Sequence, residues 1–285
     1  MQLHRALTPI FLALLAGCSL ADIRPAELKR EGVSEASAAR GRVLLEAMQA
    51  AHGGREQWTA SAYTVAVVQD DWPGSVSRAL FSPWPDRNYP MRLTFENGAD
   101  NSRADFFAGE WEGRVWGIQN WATYTKENPN AEPVFEQDDT IKFWLPTMQY
   151  FIEAPFRLPE APIVADAGQT VFRGETYDRV YVTWISEEPQ DSVDQYLLFL
   201  DPESHMLVWL EYTVRDFGGF VTGLMHYEDY QNVGGLQVPT RLTVVEDHES
   251  DAVLHQMTLS ELELRPGLNR AFVVPKPDIR RAKHD

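Results

Sequence analysis

The sequence predicts a mainly β (α+β) protein of about ten or more antiparallel strands, with a long N-terminal helix and a helical insertion. Residues 34–52 carry apolar side chains at helical spacing, whereas most of the chain after residue 60 alternates apolar and polar residues in short runs separated by turns. No internal repeat and no linker follows residue 40, so these elements are expected to form one domain.

The predicted N-terminal helix begins at Ser34 or Ser37, because either hydroxyl can cap the first turn. It ends at Gly53-Gly54, where a glycine can adopt the left-handed conformation of a C-cap. Its apolar side chains form one stripe, which consists of Val43, Leu44, Ala47, Met48 and Ala51.

Alternating segments after the helix predict the strands. Asn97-Gly98 is the strongest short hairpin signal in the chain. The apolar face changes along residues 253–264, which predicts a β-bulge near Ser260. The predicted strands span residues 63–69, 91–96, 103–107, 114–119, 121–125, 177–185, 193–200, 206–214, 220–230, 237–246 and 253–264.

The segment 138–156 lies between two groups of strands and is rich in aromatic residues. Pro146 and Pro155 interrupt it, which predicts one or two short helices that cover the sheet. Core packing is the simpler explanation for the aromatic residues here and just upstream. The alternative is an apolar pocket with a lid, and the candidate cavity residues are then Trp111, Trp116, Trp121, Phe143, Trp144, Tyr150 and Phe151.

The composition excludes two classes of partner. The chain has 285 residues, of which 42 are acidic and 25 are basic, and its formal net charge is −17. Binding to nucleic acid, or to anionic lipid by charge alone, needs clustered Lys and Arg, so neither is expected. Cys18 is the only cysteine, which excludes an intramolecular disulfide and a multi-cysteine metal site.

The first residues have the features of a secretory signal. Arg5 precedes an apolar run over residues 6–16 that is too short to span a bilayer. The run ends in Leu15-Ala16-Gly17-Cys18, which resembles the lipobox of bacterial lipoproteins. This resemblance implies that Cys18 is acylated with fatty acids such as palmitate and becomes the mature N-terminus. Ser19 resembles the residue at this position in lipoproteins of the outer membrane. An ordinary signal with a chance cysteine is the alternative.

These features divide the chain into three parts. Residues 1–17 are the predicted signal peptide, residues 18–35 the acylated N-terminus and a flexible tether, and residues 36–285 the globular domain. The tether is predicted because residues 19–35 mix charged and small residues with Pro25 and Gly32 and have no apolar period. Two or more acyl chains hold a protein stably on a membrane.

Three segments resemble proteins of the LolA/LolB-like superfamily, which includes a periplasmic carrier and an outer-membrane receptor of lipoproteins. They are residues 47–54 with Trp58, residues 196–203 with the strand that follows, and residues 227–239. The resemblance implies a curved antiparallel half-barrel, incompletely closed, whose helical lid covers a cavity for acyl chains. No position here matches the carrier's cavity arginine or the receptor's protruding leucine loop, so the fold carries over more strongly than lipoprotein transfer does.

The sequence contains no motif for catalysis or for a cofactor. There is no Gly-x-Ser-x-Gly elbow, Walker loop or Gly-x-Gly-x-x-Gly segment. His248-Glu249 begins like a zinc-protease motif, but Ala252 stands where the second histidine is needed, so no metal is expected. Adjacent carboxylates such as Asp70-Asp71 are expected to lie on the acidic surface.

The predicted function is therefore a non-catalytic lipoprotein that faces the periplasm, is held in the outer membrane by acyl groups, and binds a lipid, a lipoprotein acyl chain or another apolar ligand. A structural or assembly lipoprotein that docks an envelope protein on its curved sheet is the alternative, and an enzyme is a third. A cavity favours the first, and a filled barrel with an exposed apolar patch favours the second.

Overall fold

Thirteen antiparallel strands form one curved, open sheet in the computed structural model, which describes residues 20–267. The predicted signal peptide and Cys18 lie outside the described residues. The strands are β1 (Tyr63–Asp71), β2 (Asn88–Glu96), β3 (Ser102–Phe106), β4 (Val115–Gln119), β5 (Ala122–Lys126), β6 (Val134–Phe135), β7 (Ile163–Phe172), β8 (Glu175–Thr183), β9 (Gln195–Leu200), β10 (Leu207–Thr213), β11 (Thr222–Glu228), β12 (Gln231–Val233), β13 (Leu236–Val238), β14 (Arg241–Val245) and β15 (Val253–Arg265). The helices are α1 (Ala26–Glu31), α2 (Glu35–Ala51), α3 (Arg55–Ala60), α4 (Ser75–Phe81), α5 (Asp139–Ile152) and α6 (Ala154–Arg157).

The sheet runs in the order β6-β5-β4-β3-β2-β1-β15-β14-β11-β10-β9-β8-β7, and β12 and β13 form a separate hairpin. This arrangement confirms the predicted fold class, a curved antiparallel half-barrel with a long N-terminal helix and helices over it. The strand predicted at 237–246 is divided, because Pro239 has no N–H to donate and β13 and β14 end and begin on either side of it. Strands β6, β7 and β12 were not predicted from the sequence.

The predicted irregularities of the sheet are confirmed. Gly98 has φ +76° in the turn between β2 and β3. On β15, Glu263 pairs with Val65 and Ser260 pairs with Val67, so one extra residue forms a bulge where the predicted change of face occurs.

The helix α2 confirms the predicted capping but presents a different face to the sheet. The side chains of Ser34 and Ser37 form a reciprocal capping box. Val43, from the expected apolar stripe, is 63% exposed, whereas Gly41 is buried. A Cβ atom at residue 41 would lie 2.7 Å from the backbone nitrogen of Asp166. The helix therefore contacts β7 through its small residues.

Both faces of the sheet are covered by apolar side chains. Adjacent residues of a strand point to opposite faces, so Leu198 belongs to the large core on the concave face and Leu197 to a second core on the outer face. Residues from the N-terminal segment complete this outer core, namely Ile23, Leu28 and Val33. A strand that is apolar on both faces, such as β9, therefore has a cover on each side.

The prediction of a flexible tether is wrong for residues 20–34. This segment contains α1 and packs on the outer face, where Ile23 and Leu28 are buried. The guanidinium of Arg24 donates to both Asp22 and Glu188, at 2.9 and 3.0 Å. The absence of an apolar period did not indicate disorder, because two apolar anchors and the ion pairs of one buried arginine are enough to fix a short segment on a sheet.

Helix α5 lies over the concave face and is fixed to the β2–β3 turn by a fully buried carboxylate. Glu153, directly after α5, accepts hydrogen bonds from the backbone N–H of Gly98 at 3.0 Å and from Gln149 and Arg157 at 3.1 Å each. Arg157 also pairs with Asp100 at 3.0 Å. Burial raises the pKa of Glu153 to about 7 despite these partners.

Candidate ligand cavity

A cavity of about 480 Å³ lies between α5 and the concave side of β10, β11, β14 and β15. This volume exceeds the roughly 300 Å³ at which ligand pockets begin. Most of the apolar side chains that line it come from five strands, from α5 and from the loop after β10. They include Phe143, Trp144, Met148, Phe151, Tyr196, Tyr212, Val214, Phe217, Met225, Leu242, Val244, Leu254 and Met257. The lining is thus that of an apolar ligand site.

A glycine opposite Tyr212 gives the strand wall its shape. Gly223 on β11 pairs with Tyr212 on β10, and a Cβ atom at residue 223 would lie 2.3 Å from the tyrosine ring. The ring therefore lies across β11, where a larger residue would displace it. Phe151 of α5 packs on the same ring with a centroid distance of 4.6 Å.

The structure brings five of the seven candidate residues to the cavity: Trp121, Phe143, Trp144, Tyr150 and Phe151. The other two, Trp111 and Trp116, do not line it, and this corrects the sequence-based assignment. Their ring centroids are 4.8 Å apart, and both rings pack against Trp84 and Phe106 in the core. They are partly buried and pack against the core, because other aromatic rings occupy the space in front of them.

Trp121 lies at the edge of the cavity in an unusual backbone conformation. Asn120 and Trp121 form the two-residue turn between β4 and β5, with φ values of +50° and +64°. A turn of this type favours Asn-Gly, so an aromatic residue in its second position is strained. The side chain is 54% exposed, so burial does not compensate for this strain.

One polar group of the cavity is a histidine held by a buried aspartate. Asp70 accepts hydrogen bonds from the indole N–H groups of Trp72 and Trp84, at 2.8 and 2.7 Å, and contacts His255 Nδ1 at 3.1 Å. The imidazole stacks on Trp72 with a centroid distance of 4.3 Å. Because Nδ1 faces the carboxylate, Nε2 is the ring nitrogen available to a ligand.

Ser77 also lines the cavity, so the three residue types of a nucleophilic triad are present there. The Ser77 hydroxyl, however, is directed at the carbonyl oxygens of Gly74 and Leu254, at 3.2 and 3.5 Å. Catalysis of this type needs a hydrogen bond between the nucleophile and its base. In the described chain the serine makes no such bond to His255, and the geometry is that of a structural hydroxyl.

The second polar region lies further along α5. Arg157 lies over the ring of Tyr150 at 5.3 Å, and the buried hydroxyl of Tyr150 has no hydrogen-bond partner in the described structure. Burial raises the pKa of this phenol. Trp144, which contacts His255, precedes Tyr150 by six residues, or about 9 Å along a helix. The two polar regions are therefore separated by a stretch of α5 whose lining residues include Pro146 and Met148.

Sequence reasoning missed Asp70 and His255 as partners. They lie 185 residues apart in the chain, and their contact depends on the pairing of β1 with β15. No local pattern indicates that pairing. Between residues 20 and 267, no group of three or more His, Cys, Asp or Glu side chains is arranged to hold a metal ion. In the same range, no helix is both long and apolar enough to cross a bilayer.

Comparisons with known proteins identify the fold. No family model and no curated protein matches the chain. It is similar to a DUF1329 family protein from Desulfovibrio piger, with a TM-score of 0.55, 10% identity and coverage of 83% of this chain and 96% of that chain. It is also similar to a domain assigned to outer membrane lipoprotein sorting from Vibrio parahaemolyticus, with a TM-score of 0.50, 11% identity and coverage of 81% and 95%.

A LolA superfamily protein from Nitrosomonas europaea has a TM-score of 0.48, 13% identity and coverage of 80% of this chain and 94% of that chain. The first two likenesses agree with the LolA/LolB-like fold that the sequence resemblance implied.

Proposed function

We propose that the protein is an acylated envelope lipoprotein that binds a lipid acyl chain, or another elongated apolar ligand, in the cavity beneath α5 without converting it chemically. The observation that carries this proposal is the cavity itself, since an apolar space of about 480 Å³ lies where a filled half-barrel would have side chains. The outer membrane, facing the periplasm, is the proposed location.

The energetics of burial support an acyl chain as the ligand. Each buried CH₂ contributes about 0.8 kcal/mol. Ten such groups give about 8 kcal/mol, which corresponds to a micromolar complex before the costs of association and ordering are subtracted. The polar groups near the wall, His255 and Tyr150, lie far enough apart for an apolar chain to occupy the space between them.

The proposal of a membrane anchor comes from the sequence and from one structural relative. The lipobox residues Leu15 to Cys18 support acylation, and a neighbour of the same fold is assigned to outer membrane lipoprotein sorting. Replacement of Cys18 by Ser should release the protein from membranes or leave its precursor uncleaved. Mass spectrometry of the native N-terminus provides the direct measurement, and an unmodified Cys18 would contradict the anchor.

The ligand proposal is tested on the full-length protein with a fluorescent fatty acid as the probe. Trp144→Ala removes a ring from the cavity wall and should weaken probe binding about tenfold or more. Trp116→Ala is the matched control, because Trp116 packs in the core away from the cavity. It should lower the melting temperature and leave the affinity of the folded protein unchanged. Equal affinities in the two variants would contradict the proposal.

A further inference from the structure

We propose that the mouth of the cavity lies against the membrane that carries the anchor, with an apolar rim in the headgroup region of the bilayer. The rim consists of Val76, Leu80 and Phe81 of α4 together with Phe217 and Phe220 of the loop after β10. The inference rests on the proposed acylation of Cys18, and its proposed occupant is a lipid surface.

The rim is exposed and continuous with the cavity. Val76, Leu80 and Phe220 are 70%, 67% and 72% exposed, and α4 has no buried residue. Within α4, Ser77 and Phe81 line the cavity, whereas Val76 and Leu80 share the adjacent helical face. The ring of Phe81 lies 5.6 Å from that of Phe217. Helix α4 therefore directs one face to the cavity and another to the exterior.

The rim is also joined to the helix above the cavity. Phe217 lies 4.7 Å from Phe143 of α5 between ring centroids, and both line the cavity. Contiguous exposed apolar groups of this kind mark a surface that contacts a partner or a membrane. In this molecule they lie beside Phe143, at one edge of the cavity.

The N-terminal end of the described chain is fixed to the loop that carries Phe217 and Phe220. The backbone N–H of Ala21 donates to the carbonyl oxygen of Gly219 at 2.6 Å. The guanidinium of Arg215 donates to the same oxygen at 2.6 Å and to the carbonyl oxygen of Ala21 at 2.7 Å. Leu20 packs so closely on Gly219 that a Cβ atom there would lie 2.4 Å from it.

Covalent geometry then limits the distance between the anchor and the rim. Cys18 precedes Leu20 by two residues, and two residues of extended chain span at most about 7 Å. Acyl groups on Cys18 therefore enter the bilayer beside the 215–220 loop. A flexible tether would permit many orientations of the domain. The contacts of Leu20 and Ala21 with Arg215 and Gly219 instead keep the anchored end of the chain next to the loop that carries Phe217 and Phe220.

The charge of the protein defines the kind of contact. The formal net charge of the protein is −17, so anionic headgroups would repel it. The contact with the membrane is therefore apolar. Apolar side chains of interfacial helices typically lie 5–10 Å into the boundary between headgroups and acyl chains. An acyl chain could then move between the bilayer and the cavity without crossing water.

The test compares two exposed valines on the natively acylated, full-length protein in phosphatidylcholine vesicles. Val76→Cys places a thiol on the rim, and Val171→Cys places one on a β7–β8 hairpin residue that is 71% exposed. Because acylation occupies Cys18, the introduced cysteine is the single free thiol and can carry an environment-sensitive fluorophore. We expect the Val76 probe to shift its emission to the blue and to be quenched several-fold more by nitroxide-labelled lipids than the Val171 probe.

Three outcomes would overturn the inference: equal quenching of the two probes, an unmodified Cys18, or a Val76 shift that follows protein density and is insensitive to nitroxide lipids, which would assign the rim to a second copy of the chain. Fatty-acid binding by the same labelled proteins separates the two proposals. A rim in the bilayer without ligand binding removes only the proposed function, and binding with an exposed rim removes only the orientation.

Discussion

The concave face has two halves that are both built with aromatic side chains. In one half these side chains fill the space beneath α5, and in the other half a cavity remains. Beneath one side of α5, Trp84 packs against rings from β2, β3 and β4 and leaves no large space in front of Trp111 and Trp116. Beneath the other side, Trp144 and Phe151 face strands that carry Gly223 and Val244, and the cavity remains. Both halves are rich in aromatic residues. What differs is whether a further large side chain from a loop, here Trp84, occupies the space opposite.

The largest expected effect comes from removing a ring in the filled half. Phe106 is 2% exposed and packs against Trp84, Trp111 and Trp116. Phe106→Ala should lower the free energy of unfolding by about 3–5 kcal/mol, because the surrounding rings cannot close the space. Denaturant titration provides the measurement. Affinity for the fatty-acid probe under native conditions should stay the same, and a parallel loss of affinity would show that the two halves are not independent.

The second prediction concerns Glu153, which fixes α5 to the filled half. Its pKa is raised to about 7 by burial, so the folded protein binds this proton more tightly than the unfolded chain does. The carboxylate therefore decreases stability as the pH rises from about 4.5 to 7. Glu153→Gln should remove this component, which is on the order of 3 kcal/mol at most. Unfolding free energies at pH 5 and pH 8 test it, with exposed Glu175→Gln as the control.

His52 also makes stability depend on pH, and its effect should become visible in the Glu153→Gln variant. Burial lowers the pKa of His52 to about 4, so the unfolded chain binds this proton more tightly. Stability from His52 is complete above pH 6.5 and is lost as the pH falls toward 4. In the native protein the two groups oppose each other between pH 4.5 and 6.5. In Glu153→Gln we expect stability to rise with pH across that range, and an unchanged profile would exclude Glu153 as its source.

The third prediction concerns a substitution that places a larger side chain in the cavity. Val244 lines the cavity, and its neighbour Val245 belongs to the outer core, so the two point to opposite faces of β14. Val244→Phe should weaken probe binding about tenfold by occupying ligand space, which corresponds to about 1.4 kcal/mol. Val245→Phe is the matched control and should destabilise the fold by about 1–3 kcal/mol through overpacking without changing affinity. The reverse pattern would place the ligand on the outer face.

The smallest expected effect is at the edge of the cavity. Trp121→Gly removes the half-exposed ring and relieves the positive φ of the β4–β5 turn. We expect affinity to fall about threefold, because a half-exposed side chain contributes only part of what a buried ring does. Stability should remain equal or rise by up to about 1 kcal/mol. Isothermal titration and thermal unfolding on the same samples measure both, and a large loss of stability would assign Trp121 to the core.

Local patterns predicted most of the strands, the α2 cap at Ser34 and the bulge near Ser260, because hydrophobic period and turn chemistry act over a few residues. They failed where the outcome depends on what packs opposite. The segment containing Ile23 and Leu28 is ordered because these side chains pack on the apolar outer face of the sheet. Trp116 is core because Trp84 lies in front of it. No sequence pattern near Ile23, Leu28 or Trp116 indicates either of these contacts.

The pairing of β1 with β15 has a consequence for how the chain folds. Tyr63 lies opposite Arg265, so the centre of the sheet joins the first strand to the last one. Hairpins such as β2–β3 and β9–β10 can form as soon as their residues are available, whereas the central seam must wait for nearly the whole chain. Topologies with such distant contacts fold slowly and expose strand edges meanwhile. During synthesis, the unpaired edges of β1 and β14 are therefore the surfaces on which aggregation would begin, and which a holding chaperone would protect.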